Sequence, residues 1–182
     1  MKTKELAETI EILEGVEVKV DRGLISAKGA KGECNKTLVD PKITIEVKDG
    51  NIILTAKNAT KKQKTKLGTY KSHVINLMKG AAEGHSYKLK ICSGHFPMNV
   101  TISGKEFAVK NFLGEKKPRV LKLKEGVDVK IEGDIVTVEC CSKELAGQTA
   151  ADIENTTRIT NRDLRIFQDG IYITEKNGKP IR

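Results

Sequence analysis

The chain has 182 residues, a formal net charge of +9 and 38% hydrophobic residues, a length that suits two small domains better than one. No stretch approaches the ~18 uninterrupted apolar residues that a membrane-spanning helix requires. The acidic residues in the first segment, MKTKELAETIEILEG, argue against a secretory signal. We therefore expect a cytoplasmic protein without a membrane partner, and the positive charge favours a polyanionic one.

Residues 16–80 and 98–157 share one order of sequence features at an offset of about 80 residues. The alternating run IEVKDGNIILTAK is echoed by VKIEGDIVTVEC, each with a glycine at its turn. The matched glycines are Gly32 with Gly114, Gly50 with Gly133, and Gly68 with Gly147. This repeat predicts two domains of one plan, residues 1–83 and residues 84–182.

The first copy has the pattern of a meander of strands followed by one helix. Alternating and β-branched residues predict strands near 9–20, 23–28, 35–39, 42–48 and 51–57. Asp49-Gly50-Asn51 is typical of a hairpin turn. Apolar residues at every third or fourth position predict a helix over 60–82, capped by Thr60. The expected apolar face consists of Leu67, Tyr70, Val74, Leu77 or Met78, and Ala81.

The second copy repeats this order. Strands are predicted near 86–93, 98–103, 106–110, 119–124, 127–132 and 135–140. A helix is predicted over 142–158, with Leu145, Thr149 and Ile153 on one face. A sheet followed by a covering helix indicates an α+β fold of two tandem similar domains, each an antiparallel β-sheet covered by one main helix, plus a basic C-terminal extension.

The first basic cluster lies in residues 57–71, KNATKKQKTKLGTYK, which carry six Lys and no carboxylate. Positive charge at the start of a helix opposes the helix dipole, so the pattern predicts a nearby anion. An exposed lysine-rich loop that serves only solubility is the alternative. The candidate phosphate-binding residues here are Lys61, Lys62 and Lys64.

The second cluster lies in residues 110–124, KNFLGEKKPRVLKLK, where Lys116, Lys117 and Arg119 surround Pro118. Phe112 in the same segment can stack on a base or pack on the sheet. Packing is favoured because only four Phe serve two cores.

The third cluster is the C-terminal segment from residue 158 onward. Arg makes bidentate contacts with phosphate, and basic termini of this kind commonly order against nucleic acid. Phe167 and Tyr172 flank an expected Asp169-Gly170 turn, which precedes a short strand over 171–174. The candidate contacts are Arg158, Arg162, Arg165, Lys176, Lys179 and Arg182.

Cysteine and histidine residues give weak support for a metal site or for catalysis. Cys92 and His95 have a spacing that could supply two zinc ligands, completed by Cys140 or Cys141, but adjacent cysteines on a strand point to opposite faces. Cys92 has apolar neighbours and is expected to be a buried thiol rather than a nucleophile. The glycines match no nucleotide-binding fingerprint, so no metal or cofactor is expected.

The string RDLRIFQDGIYITEK, preceded by KELAGQTAADIENTTRITNRD and by NFLGEKKPRV, resembles the archaeal and eukaryotic branch of a ribosomal protein family, numbered six in the bacterial large subunit and nine in the eukaryotic one. The similarity covers essentially the whole chain and departs at Ala30, where we expect Pro in this family. It implies a noncatalytic protein on large-subunit ribosomal RNA, near the stalk base and the sarcin-ricin loop.

The resemblance also implies neighbouring large-subunit ribosomal proteins, with translational GTPases nearby and no small-molecule substrate. It implies that the C-terminal copy makes most RNA contacts. The matching positions in this chain are the Lys116 to Arg119 loop and the Arg158 to Lys176 segment.

Two other classes of function remain open from the residues alone. A small cytoplasmic enzyme would use the cleft between the domains with Cys92 and His95, and Cys92→Ser would reduce its activity. A protein-interaction module without RNA would bind its partner with little dependence on salt. RNA binding predicts instead a log-log salt slope of about 0.7 to 0.9 per phosphate contact.

Overall fold

The computed structural model describes residues 3–48 and 50–181, and the chain divides into two compact units. Unit 1 comprises Met1–Gly84 with Cys141–Lys143, and unit 2 comprises His85–Cys140 with Glu144–Arg182. Each unit has its own cluster of buried hydrophobic side chains. In the described part of the chain, no helix is long and apolar enough to cross a membrane.

Unit 1 contains two three-stranded antiparallel sheets and one helix. Its elements are β1 (Thr3–Glu11), β2 (Glu17–Asp21), β3 (Leu24–Gly29), β4 (Gly32–Thr37), β5 (Ile43–Lys48), β6 (Asn51–Ala59) and α1 (Lys61–Ala82). The sheets have the strand orders β1-β6-β5 and β2-β3-β4. The helix α1 packs against strands of both sheets. Asp49, in the predicted hairpin turn, lies outside the described residues.

The helix α1 confirms the predicted apolar face. Its buried residues include Leu67, Val74, Leu77, Met78 and Ala81, while Tyr70 is half-buried. At its start, the Gln63 side chain accepts a hydrogen bond from the Thr60 N–H at 3.1 Å. At its end, β3 approaches so closely that a Cβ on Gly29 would lie 2.5 Å from the Ala81 carbonyl oxygen. The helix therefore closes the core between the two sheets.

The single strand predicted over 9–20 is wrong, because this segment forms parts of β1 and β2, which lie in different sheets. The chain turns between them at Gly15, which has φ +78°, and the Val16 N–H donates to the Leu13 carbonyl at 3.2 Å. Alternation is interrupted at Leu13-Glu14-Gly15 and resumes at Val16, and this interruption is the sign of the break in the sequence.

Unit 2 follows the same plan and adds strands at its C-terminal end. Its elements are β7 (His85–Cys92), β8 (Asn99–Ser103), β9 (Glu106–Lys110), a 3₁₀ turn (Phe112–Gly114), β10 (Arg119–Lys122), β11 (Asp128–Glu132), β12 (Ile135–Cys140), α2 (Lys143–Thr156), β13 (Gly170–Lys176) and β14 (Lys179–Pro180). The sheets have the strand orders β10-β9-β8 and β11-β12-β7-β13-β14. All pairings are antiparallel.

The strand orders confirm the predicted fold class. The order β7-β12-β11 repeats β1-β6-β5, and β8-β9-β10 repeats β2-β3-β4. The difference from expectation is that each copy divides its strands between two sheets rather than placing them in one meander. Phe112 is buried in the core of unit 2, as predicted.

The predicted face of α2 is only partly correct. Thr149 and Ile153 are buried, whereas Leu145 is 38% exposed and Ala146 lies in the core instead. On the same helix, Gly147 leaves room for the end of the Tyr87 side chain, which comes from β7. A Cβ added at Gly147 would lie 3.1 Å from the Tyr87 hydroxyl oxygen.

The C-terminal segment is a larger part of the core than predicted. β13 pairs with β7, and Ile171 on this strand is fully buried. Asp169-Gly170 is not a turn: the chain turns at residues 164–166, and Gly170 is already the first residue of β13. The predicted strand over 171–174 therefore underestimates an element that occupies an interior position of the sheet.

The four cysteines are free thiols. Cys34 and Cys140 are buried, Cys140 in the core of unit 2. Cys141 packs against the core of unit 1, so the two adjacent thiols serve different cores, in agreement with their alternation. Cys92 is half-buried, so its prediction as a buried core thiol is wrong.

Candidate nucleic-acid interface

Three loops of unit 2, residues 93–98, 111–118 and 157–169, are joined by internal contacts and are called here the loop cluster. The Asn111 side chain donates a hydrogen bond to the Pro97 carbonyl oxygen at 3.0 Å. The Phe96 ring lies over Gly114, where an added Cβ would be 3.7 Å from the ring. These two contacts attach the second loop to the first.

Arg119, the first residue of β10, attaches the second loop to the third. Its Nε and Nη2 atoms donate to the two carboxylate oxygens of Glu115. Its Nη1 atom donates to the carbonyl oxygens of Thr156 and Arg158 at 2.9 and 3.2 Å. The guanidinium carbon also lies 4.2 Å from the centroid of the Phe112 ring. Hydrogen bonding from Arg119 holds the pKa of Glu115 below its ordinary value.

These contacts change how Arg119 should be interpreted. The sequence placed it among the phosphate contacts, but its fork of donors is already occupied within unit 2. Its neighbours Lys116 and Lys117 are exposed in the loop that Arg119 holds. The arginine therefore positions these two lysines beside the end of α2.

Asp169 attaches the third loop to the first. Its side chain is 3% exposed, and its Oδ2 atom lies 3.0 Å from His95 Nδ1. Its Oδ1 atom accepts hydrogen bonds from the backbone N–H groups of Gly94 and His95. Burial raises the pKa of Asp169, but these hydrogen bonds and the His95 ring together outweigh burial and leave the pKa below its ordinary value. An ionised carboxylate thus organises two loops at neutral pH.

Phe167 brings a cation and an imidazole to the same surface. Its ring stacks on the His95 ring, with 4.7 Å between centroids and an angle of 24° between planes. The guanidinium carbon of Arg162 lies 4.7 Å from the Phe167 centroid. The exposed Arg162 is therefore supported by an aromatic ring, which limits the freedom of its long side chain.

A groove of about 950 Å³ opens on the loop cluster. It is built wholly from unit 2, and its lining includes Cys92, His95, Arg158, Leu164, Phe167 and Tyr172. Leu164 and Ile166, at the turn of the third loop, are 62% and 63% exposed. Exposed apolar and aromatic side chains beside cations are typical of surfaces that bind unpaired RNA.

The loop cluster presents positive charge without internal compensation. Within residues 3–48 and 50–181, no ion pair is formed by the exposed Lys116, Lys117, Arg158 and Arg162. The carboxylates of the cluster are engaged: Glu115 by Arg119, Asp163 by Arg165, and Asp169 by the first loop. A polyanion that approaches this surface therefore meets four available cations.

Comparison with known proteins decides the family. The family model described as Ribosomal protein L6 matches residues 12–84 and 96–170 of the chain. The chain belongs to the ribosomal protein L6 family. It is 47% identical over 173 residues to the large ribosomal subunit protein uL6 of Methanosarcina mazei. The aligned residues cover 95% of this chain and 98% of that protein. It is 44% identical over 176 residues to uL6 of Methanococcus vannielii, with 97% of each protein covered.

The family membership confirms the resemblance and its archaeal branch. The first matched segment falls in unit 1, and the second falls in unit 2 apart from residues 141–143, in agreement with the internal repeat. The protein is a ribosomal protein of the large subunit, and the predicted cytoplasmic location on the ribosome follows from the family.

The remaining cations predicted in the C-terminal segment are spread over several environments. Arg165 is exposed, and its guanidinium pairs with Asp163 at 2.8 Å. Lys176 and Lys179 are exposed where β13 turns into β14. Arg182 lies outside the described residues. Of the predicted residues in this segment, Arg158 and Arg162 therefore belong to the loop cluster without a carboxylate partner.

Lys61, Lys62 and Lys64 lie in unit 1 and are exposed at the start of α1, which has no acidic residue in its first turn. Later in the same helix, Lys66 pairs with Asp40, and Lys71 donates to Glu8 Oε2 at 2.7 Å. Unit 1 thus supplies part of the anionic charge that the sequence predicted. Within residues 3–48 and 50–181, Lys61, Lys62 and Lys64 form no ion pair.

Sequence reasoning missed Asp169 and the role of His95. Asp before Gly is a common turn pattern, and this local pattern concealed a buried carboxylate whose partners lie in a distant loop. Pro97 indicated an irregular loop after β7, but no local pattern indicated which residue would hold it.

The structure gives no support to catalytic use of Cys92 and His95. No hydrogen bond joins the Cys92 thiol to the His95 ring among the described residues, and His95 Nδ1 is held by Asp169. In the same part of the chain, no group of three or more His, Cys, Asp or Glu residues is arranged to hold a metal ion.

Proposed function

We propose that this protein binds large-subunit ribosomal RNA through the loop cluster, near the stalk base and the sarcin-ricin loop. There it supports the surface on which translational GTPases bind, and it performs no chemistry itself. The observation that carries the proposal is the set of four unpaired cations on loops that Arg119 and Asp169 hold in place.

The physical advantage of this arrangement is that the cations need little ordering when RNA binds. Each lysine or arginine placed on a phosphate releases condensed counterions, which provides most of the affinity. Loops that are already fixed lose less conformational entropy on binding. Contacts of this kind recognise the backbone and shape of folded RNA, and the protein therefore acts as an architectural element.

The other predicted residues contribute to the proposed RNA binding in different ways. Lys176, Lys179 and Arg165 extend the positive surface, and Arg182 adds one positive charge to the C-terminal segment. Arg119 contributes by holding the loop. Lys61, Lys62 and Lys64 of unit 1 make a smaller contribution, to a neighbouring RNA segment or protein.

The proposal is tested by removing the four cations together. Replacement of Lys116, Lys117, Arg158 and Arg162 by Ala should weaken binding to purified large-subunit ribosomal RNA in a filter assay. The slope of log affinity against log salt should fall by about 3, since each phosphate contact contributes about 0.7 to 0.9.

The matched control replaces four exposed lysines of unit 1, Lys19, Lys28, Lys31 and Lys42, by Ala. It removes the same charge and should leave the salt slope close to that of the parent chain. If both variants lose affinity equally, the loop cluster is not the RNA site. A photo-crosslinker at position 162 in assembled subunits should react near the sarcin-ricin loop; adducts confined to distant RNA would contradict the proposed location.

A further inference from the structure

Tyr172, on β13, has an aromatic ring that is held rigidly and yet remains accessible. Its ring lies directly over Gly170, where an added Cβ would be 3.0 Å from the Tyr172 Cζ and hydroxyl oxygen atoms. Its hydroxyl group donates to the Asp169 carbonyl oxygen at 3.3 Å. Burial raises the pKa of Tyr172, so the hydroxyl keeps its proton at neutral pH. Despite these constraints, the residue is 40% exposed and lines the groove.

Glycine at position 170 is required for this arrangement, because any side chain there would displace the ring. The neighbouring carboxylate of Asp169 fixes the same backbone segment from the other side through the first loop. The ring therefore has one side packed on the backbone and a fixed orientation in the wall of the groove. An aromatic ring prepared in this way is a stacking platform that loses little entropy when a flat ligand binds.

The groove has the chemistry that a nucleotide requires. Its volume of about 950 Å³ accommodates a base with its sugar. Arg158 lies in its wall, and Arg162 lies over Phe167, another wall residue. Asn155 and Gln168, which carry amide donors and acceptors, also line it.

Two acidic residues also line the groove, and both are less exposed than the arginines: Glu154 is half-buried and Asp169 is buried. Glu154 Oε1 accepts a hydrogen bond from the Ile173 N–H at 3.0 Å, and Asp169 is held by the first loop. The exposed ionic side chains are those of Arg158, in the wall, and Arg162, over the Phe167 ring, and they favour an anionic ligand. The exposed Tyr172 ring favours an anion that carries a base.

We propose that this groove binds one unstacked base of the ribosomal RNA, which stacks on Tyr172 while its phosphates contact Arg158 and Arg162. The inference rests on the proposed function and adds to it a specific site for an unpaired nucleotide. Tyr172 is the stacking residue, and Gly170 and Asp169 position it. The phosphate contacts provide salt-dependent affinity, and the stacked base provides affinity that does not depend on salt.

The first test compares Tyr172→Leu with Tyr172→Phe in binding to purified large-subunit ribosomal RNA. Leu removes the aromatic ring and should weaken binding by about 5- to 150-fold, which corresponds to ~1–3 kcal/mol at 1.4 kcal/mol per tenfold. The salt slope should stay unchanged, because Tyr172 neutralises no phosphate. Phe keeps the ring and should bind within about threefold of the parent chain, losing only the hydroxyl contact.

The outcomes separate this inference from the proposed function. If the parent chain does not bind the RNA, both are contradicted. If the parent chain binds and Tyr172→Leu binds equally well, only the base site is contradicted. If Tyr172→Leu binds RNA normally but is lost from assembled subunits, the groove holds a segment of a neighbouring protein, and the base site is again contradicted.

A second measurement needs no substitution, so it stands even if Tyr172→Leu fails to fold. Irradiation at short ultraviolet wavelength joins stacked aromatic residues to bases, and trypsin should release residues 166–176 as one peptide. In irradiated large subunits that contain the parent chain, we expect a nucleotide adduct on this peptide at Tyr172. Adducts on other peptides of this chain with none on 166–176 would overturn the proposal.

Discussion

At the scale of single residues, the most consequential side chain is a buried carboxylate. Asp169 accepts hydrogen bonds from two backbone N–H groups and faces the His95 ring, so one residue joins the third loop of the cluster to the first. It also starts the segment that positions Tyr172. The shape of the proposed RNA surface therefore depends on a group that is itself hidden from RNA.

Replacement of Asp169 by Asn should destabilise unit 2 in a pH-dependent way. At pH 7 we expect a loss of about 1–3 kcal/mol in the free energy of unfolding, because the donors of the first loop lose a charged acceptor. The pKa of Asp169 is lower in the folded chain than in the unfolded one. Its stabilisation is therefore complete above the unfolded pKa, about 3.9, and is lost as the pH falls through the folded pKa.

Urea unfolding of both chains between pH 3 and pH 7 measures this difference. It should be largest at neutral pH and should shrink below about pH 4. The matched control is Asp163→Asn, an exposed carboxylate paired with Arg165, which should leave the unfolding free energy nearly unchanged. A difference that stays constant down to pH 3 would show that Asp169 acts through packing rather than charge.

The sequence predicted single residues well where one element determines their environment. Leu67 and Val74 of α1 and Phe112 of unit 2 were correctly assigned to the cores from periodicity and composition. Arg119 and Asp169 were misinterpreted because their partners are 37 and 75 positions away in the chain. Local patterns describe the backbone preference of such residues, and only the fold determines their partners.

At the scale of elements, the central feature is the connection between the second loop of the cluster and the C-terminal end of α2. The last carbonyl groups of an α-helix lack intrahelical donors and carry partial negative charge. The Arg119 Nη1 atom donates a hydrogen bond to the carbonyl oxygen of Thr156, the last residue of α2. The Nε and Nη2 atoms donate to the Glu115 carboxylate. The end of α2 and the loop with Lys116 and Lys117 are thereby held together.

Arg119→Lys tests this role, because lysine keeps the charge but lacks the planar fork. We expect unit 2 to lose about 1–2 kcal/mol of stability and RNA affinity to fall about two- to tenfold, since the loop must then be ordered on binding. The salt slope should not change. By contrast, Lys116→Ala combined with Lys117→Ala should reduce the slope by about 1.5.

The control is the same Arg-to-Lys change at Arg22, an exposed position in unit 1. Arg22→Lys should leave both the stability of the chain and its affinity for RNA unchanged. Circular dichroism on heating and filter binding at several salt concentrations provide the two readouts. If Arg119→Lys lowers RNA affinity while stability stays constant, the arginine fork binds phosphate directly, as the sequence suggested.

The element that the sequence described least well is β13. Its alternation predicted a short strand, but alternation does not reveal which strand is its neighbour. Its partner β7 lies about 80 residues earlier in the chain, and this pairing places β13 inside the sheet of unit 2. The basic C-terminal segment is therefore anchored by a buried strand before it reaches Lys176 and Lys179.

At the scale of the whole molecule, the repeat was the strongest information in the sequence. Glycines at matched positions and two similar alternating runs predicted two copies of one plan, and the strand orders of the units confirm it. Unit 2 adds the third loop of the cluster, β13 and β14 after its helix, whereas the first two loops of the cluster connect strands of the shared plan. The added segment holds Arg158 and Arg162, and the shared plan holds Lys116 and Lys117.

The most direct test of the account is sedimentation of a tagged chain from cell lysate through a sucrose gradient, repeated after a wash at raised salt. We predict that the parent chain travels with the large subunit and resists a moderate salt wash. The variant without Lys116, Lys117, Arg158 and Arg162 should dissociate at lower salt than the variant without the four unit 1 lysines. A parent chain that stays at the top of the gradient would contradict the account.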